Sequence, residues 1–213
     1  LTSWDSHTID GNKVNDKPIY YYKYENGITV PSNASQVIIV NCSNFIIENI
    51  DFKNIVIGIQ IGFGSRITIR DNNFISNTKN SINTYHSNNI TIENNKIDGG
   101  NGINILDSDN NIISQNTILD TETAIELDNS ENNIIDENSI SENEKGIYSK
   151  YGIENNILEN NIFNNAEYGI YLLTNSNYNT ISKNELYENK ITIRIKGSKF
   201  NNIFLNEIKE SSD

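Results

Sequence analysis

The sequence predicts an all-β protein, a right-handed parallel β-helix of about eight rungs. Three observations carry that prediction. A pattern of about 22 residues recurs along most of the chain. Asn returns in several columns that share one register. The residues set to face inward are almost all Ile. Asn (41) and Ile (39) together exceed a third of the 213 residues, a bias that ordinary mixed cores do not show.

The core pattern is Ile-x-x-Asn-x-Ile. Its Asn falls at Asn72, Asn95, Asn116, Asn138, Asn160, Asn184 and Asn206, with spacings of 23, 21, 22, 22, 24 and 22 residues. An imperfect earlier copy, Ile47 to Phe52, carries Ile50 in place of Asn. A second Asn column reads Asn111, Asn133, Asn155, Asn179 and Asn201, and a third Asn77, Asn143, Asn165 and Asn189. A Gly-Ile or similar pair opens another strand at Gly58, Ser81, Gly102, Ala124, Gly146 and Gly169. Three strands and three turns per period follow. Within each strand, apolar and polar residues alternate, as in Ile103-Asn104-Ile105.

A 22-residue unit is too small to bury its own apolar side chains. Stacked copies solve this, because each strand pairs in parallel with its equivalents above and below. Each inward Ile then contributes about 1.5–3 kcal/mol. Asn suits the turns through its tolerance of the left-handed conformation and its ability to hydrogen-bond along a column. The columns hold Ile rather than Leu and lack helical spacing, which excludes leucine-rich and helical solenoids.

Residues 1–36 lack the repeat and are expected to form an N-terminal cap, with residues 37–213 as a single domain of rungs. Trp4, His7 and the run Ile19-Tyr20-Tyr21-Tyr22 supply bulk to cover the first rung. No second cap is visible. Either the charged tail after Ile208 blunts that end, or the chain continues, and continuation is the stronger expectation.

The net charge of −12 argues against nucleic acid as a partner. No apolar run is long enough to span a membrane. Cys42 is the only cysteine, so no internal disulfide forms, and a small buried side chain is expected. Asn33, Asn41 and Asn89 each open an Asn-x-Ser/Thr triplet, the acceptor pattern for N-glycosylation.

The repeat resembles the NosD-like parallel β-helix family, grouped with carbohydrate-binding and sugar-hydrolase β-helices. The stretches His7-Thr8-Ile9-Asp10, Lys17 to Tyr22 and Gln36 to Cys42 resemble the opening of such proteins in archaea, especially methanogens. The resemblance implies an exported or surface-associated protein, linked to a surface layer and often one module of a longer chain. The family name implies copper delivery. Two His, no Met and one Cys are too few for a recognisable copper site.

Function must come from what decorates the rod. On the strand after the Gly-Ile turn, one outward column reads Gln60, Asn83, Asn104, Glu126, Tyr148, Tyr171 and Arg194. A second reads Tyr85, Leu106, Asp128, Lys150, Leu173 and Lys196. Amides, then carboxylates, then Tyr and Arg form a strip suited to a polysaccharide or cell-surface glycan lying along the rod. Asn83, Tyr85, Asn104, Glu126, Asp128, Tyr148, Tyr171 and Arg194 are the candidate ligand-binding residues. An ordinary solvated face is the plainer reading.

The leading functional reading is a non-catalytic module of the cell surface, structural or carbohydrate-contacting. A polysaccharide-modifying enzyme is the alternative, using Glu126 and Asp128 with Tyr148 or His86. Repeats that vary by one or two residues leave no loops to wall a catalytic groove, which argues against catalysis. A third reading is contact with other surface proteins or with further domains of the same chain. No cofactor is expected. Asp107, Asp109 and Asp128 are the candidates for a weak Ca²⁺ site, since oxygen clusters favour hard cations.

Overall fold

The computed structural model describes residues 4–209. Every regular element is a strand, and the strands form three sheets of 10, 8 and 8 strands. The rung from Thr123 shows the plan. Thr123–Asp128 lies in the first sheet, Ile134–Asp136 in the second and Ser139–Ser141 in the third. Lys145–Lys150 then returns to the first sheet, parallel to Thr123–Asp128, with Glu126 opposite Tyr148.

The core is a set of stacked apolar columns. In the second sheet Ile47, Ile69, Ile92, Ile113, Ile135, Ile157 and Ile181 are completely buried. In the third, Phe52 and Phe74 stack at 4.8 Å and give way to Ile97, Ile118, Ile140 and Ile162. The larger Phe rings keep the column filled at the N-terminal end.

The corners are held by amide ladders. Asn138 Nδ2 donates to Asn160 Oδ1 (2.9 Å) and to Ile113 O one rung back (2.8 Å). Its Oδ1 accepts from both the backbone N–H and the Nδ2 of Asn116 (3.0 Å each). The same bonds recur at Asn95, Asn160 and Asn184. Each Asn thereby satisfies backbone groups that the tight corner would leave buried and unpaired.

Two features depart from the sequence reading. The ladder Asn residues do not carry the left-handed conformation. The residue before each one does: Gln115, Glu137, Glu159 and Lys183 have φ between 51° and 58°. Asn is required for its hydrogen bonds, and the strained φ is assigned to an outward neighbour of almost any type. A fourth ladder, of Ser, was not foreseen. The backbone N–H of Ser87 donates to Ser108 Oγ (2.9 Å) and that of Ser108 to Ser130 Oγ (3.0 Å).

The N-terminal segment also differs from a plain cap. Lys17–Lys23 pairs in parallel with Gln36–Val40 from Ile19 onward, and Thr29 bridges to Ile46, so solenoid pairing reaches back to Ile19. Tyr20, Tyr22, Val14 and Ile28 pack against the end of the core. Trp4 and His7 do not cover that end. Trp4 lies on the side of the first sheet, stacked on Tyr85 at 6.0 Å and 11°. Gly62 makes room for it, since a Cβ there would sit 2.7 Å from the indole. Tyr21 Oη donates to Trp4 O (2.8 Å), and Lys23 Nζ donates to His7 O (3.1 Å). Cys42 is buried and unpaired with another cysteine, as its place in the core columns demands. Residues 210–213, part of the charged tail, lie outside the described residues.

Candidate functional site

The pairing register of the first sheet fixes which outward side chains meet. Asn83, Asn104, Glu126, Tyr148, Tyr171 and Arg194 stand directly opposite one another, rung by rung. Tyr85, Leu106, Asp128, Lys150, Leu173 and Lys196 do the same two residues further along. Both columns thus exist as continuous files on one face.

The side chains do not form one uniform strip. Tyr85 is occupied by Trp4 above, Phe63 at 5.6 Å and His86 at 4.1 Å. Tyr171 is only 9% exposed. Its ring is hemmed in by Tyr168 at 4.7 Å, Tyr148 at 5.6 Å and the Arg194 guanidinium at 5.3 Å. Arg194 is held in turn by the hydroxyl of Tyr168, which accepts from Nη1 at 3.0 Å. Tyr171 is a support for Tyr148 rather than an open platform.

What the fold builds is a groove of about 380 Å³ in the middle of this face. Glu126, Tyr148 and Tyr171 line it from the file read in the sequence. Glu122, Lys145, Glu167 and Tyr168 complete it, and sequence reasoning missed them. They flank the Gly-Ile column on its N-terminal side, so their 22- to 23-residue spacing was visible but not followed outward. The strand there begins one residue before the small side chain, which turns Thr123, Lys145 and Tyr168 toward the groove.

The electrostatics of the groove are uneven. Lys145 Nζ is paired with Glu144 (2.8 Å) and Glu167 (3.7 Å). Those carboxylates hold its ammonium above the usual lysine value, although burial opposes this. Glu126 has no hydrogen bond or ion pair among the described residues. Burial raises its carboxyl above the usual glutamate value, and the nearby charges of Asp128 and Glu122 push the same way, against the weaker pull of Lys145 and Lys150. Burial and Glu126 likewise raise the Tyr148 phenol. One rung below, the buried Oδ1 of Asn104 receives no hydrogen bond. The groove therefore holds Lys145 and Arg194 engaged and the Glu126 carboxyl without a partner.

His86 belongs to a different place. It lies at the corner after Asn80–Tyr85, its Nε2 3.8 Å from Asp107 Oδ2, in a shallow pocket with Asp109, Asn129 and Glu131. The grouping of His86 with Glu126 and Asp128 is not assembled. The Ca²⁺ expectation is also not met as drawn. Asp107 Oδ1 accepts from Asn129 Nδ2 (2.6 Å) and Asp109 Oδ1 from the Glu131 N–H (2.8 Å), so both carboxylates are used in corner bonds. Asp128 sits on the sheet face, outside that pocket. Among the described residues, no group of three or more His, Cys, Asp or Glu is placed to hold a metal ion. Asn33, Asn41 and Asn89 are all exposed.

The profile of the right handed beta helix region matches residues 35–186. The chain belongs to this β-helix family. No functionally curated protein matches the sequence significantly. A mutant of the periplasmic alginate epimerase AlgG superposes with a TM-score of 0.69 at 18% identity, over 92% of this chain and 51% of that one. An exopolygalacturonase from Thermotoga maritima gives 0.64 at 14%, over 79% and 55%. PfbA, a surface adhesin of Streptococcus pneumoniae, gives 0.53 at 17%, over 83% and 64%. This β-helix spans about half the length of the epimerase structures it matches. At these identities the likeness is one of fold.

Proposed function

We propose that this β-helix is an extracellular or cell-surface module that contacts a glycan through the Tyr148 groove, without catalysis. One observation carries the reading. The Tyr148 ring stands beside the unpaired carboxyl of Glu126 in an open groove that runs along the rod axis. A sugar chain offers apolar C–H faces to the ring and hydroxyl donors to the carboxyl. Flat corners support the non-catalytic form, because among the described residues the corners between strands are short turns that do not wall the groove. The adhesin and the polysaccharide enzymes among its structural relatives accord with a glycan or surface-protein contact and with an exported location. The exposed Asn33, Asn41 and Asn89 accord with that location too.

Affinity electrophoresis against a panel of polysaccharides tests the reading, with Tyr148→Ala beside the native chain. Tyr171 is left intact because it is buried. Retardation lost in the variant is the expected result. Equal mobility in every gel would remove the groove as a glycan site and leave a structural or protein-binding rod.

A second reading rests on Glu126 alone. A carboxyl whose pKa burial raises, beside a groove, suits a general acid, so a polysaccharide-modifying enzyme is the alternative. New reducing ends or a changed polymer composition, lost in Glu126→Gln, would favour it.

A further inference from the structure

Building on the glycan reading, we infer that the groove selects an amine-bearing sugar polymer over an acidic one. The argument starts from which charges are already used. Lys145 is bound to Glu144 and Glu167. Arg194 is fixed on the hydroxyl of Tyr168 and over the rings of Tyr168 and Tyr171, at 5.5 and 5.3 Å. Neither cation is free to receive a sugar carboxylate. Lys150, on the neighbouring file, leans over the ring of Tyr151 at 4.9 Å.

The unused groups are all acceptors or anions. Glu126 faces the groove without an ion-pair or hydrogen-bond partner, and Glu122 stands exposed at its rim. Asn104 stands directly opposite Glu126 in the register, but its Oδ1 is buried and lies outside the groove lining. Next to them is the ring of Tyr148, opposite Glu126 on the other side. A carboxylate and an aromatic face side by side form an ammonium site, since the ring quadrupole and the anion attract the same cation. The two Tyr rings under Arg194 show the same preference satisfied internally. A net charge of −12 adds a long-range field that repels polyuronates and draws polycations in.

The file gives the site a direction as well. Successive rungs rise by about 4.8 Å, close to the length of one sugar unit. A chain along the axis would place one residue over each of Asn104, Glu126 and Tyr148. The amine then falls on Glu126, and the pyranose face on Tyr148.

Isothermal titration calorimetry at mildly acid pH tests this with three oligosaccharides of equal length: glucosamine, N-acetylglucosamine and galacturonate. The glucosamine oligomer is expected to bind about tenfold more tightly than its acetylated counterpart. Glu126→Gln is expected to weaken the glucosamine oligomer far more than the acetylated one and so erase that ratio. Tyr148→Ala is expected to weaken both. Tighter binding of the galacturonate oligomer, or a ratio that survives Glu126→Gln, would overturn the inference and leave the glycan reading standing. Oligolysine binding with the same Glu126 dependence would overturn the sugar part of the claim. No binding of any oligosaccharide would defeat the glycan reading itself.

Discussion

Removing one amide from the middle of the central ladder tests the physical account of the fold. Asn138 is 1% exposed and makes five side-chain hydrogen bonds with good geometry. Asn138→Ala strands the N–H of Asn116 and the carbonyl of Ile113 in a site that water does not reach. Each stranded group costs about 1–3 kcal/mol, so the variant should lose about 4 kcal/mol. That is a large share of the ~5–15 kcal/mol that holds a typical domain. Urea unfolding followed by circular dichroism measures the loss. Hydrogen exchange at the Asn116 amide locates it, and that amide should exchange much faster. The control is Asn161→Ala, an outward Asn whose Oδ1 receives no hydrogen bond. It should cost less than ~0.5 kcal/mol. Equal costs for the two variants would refute the claim that the ladder, and not Asn as a residue type, supports the corners. Asn138→Asp adds a pH signature. The carboxylate would face three oxygens, so its folded pKa must rise above the unfolded value near 3.9. The variant should be most stable below that value and lose stability as pH climbs through the raised pKa.

Other outcomes follow from the same structure. Glu137 carries a left-handed φ of 53° in an exposed corner. Glu137→Gly should hold or gain up to ~1 kcal/mol while Glu137→Val loses more than 1, read as urea midpoints. The raised carboxyl of Glu126 contributes stability that is fully present below the ordinary glutamate value and fades as pH rises through its folded pKa. Glu126→Gln should flatten that part of the stability–pH curve. Gly102→Ala drives a Cβ to 2.0 Å from the carbonyl of Ala124, a backbone clash, and thermal melting should fall by several degrees. Trp4 is the only tryptophan, so its fluorescence reports the N-terminal arm alone. Tyr85→Ala should shift that emission to the red without altering the β-sheet circular dichroism.

The architecture was legible because a stack of rungs repeats its instructions. One imperfect copy at Ile47 to Phe52 could be read through its neighbours, and the structure pairs it in register with the next rung. The file from Asn83 to Arg194 was legible for the same reason, since alternation fixes which side chains face out. Three matters were hidden. The left-handed residue before each ladder Asn has no preferred identity, so no column marks it. Trp4 reaches Tyr85 through a segment without the repeat, where register says nothing. The burial of Tyr171 depends on how Tyr168 and Arg194 fold over it, which is a matter of side-chain packing. The Ser ladder and the Glu122–Lys145–Tyr168 side of the groove were different. Both repeat with the rungs and were open to the same counting.

The corner ladders also bear on how such a gene can change. In the central ladder from Asn95 to Asn184 each Asn bonds to chemically identical atoms above and below, so excising one 22-residue unit, such as Thr117 to Asn138, would bring like against like at the seam. Tandem duplication or contraction by replication slippage would thus yield folded products at once. The rod's length would then be a heritable variable separate from its surface chemistry. Relatives could come to differ in copy number before they differ in what they hold.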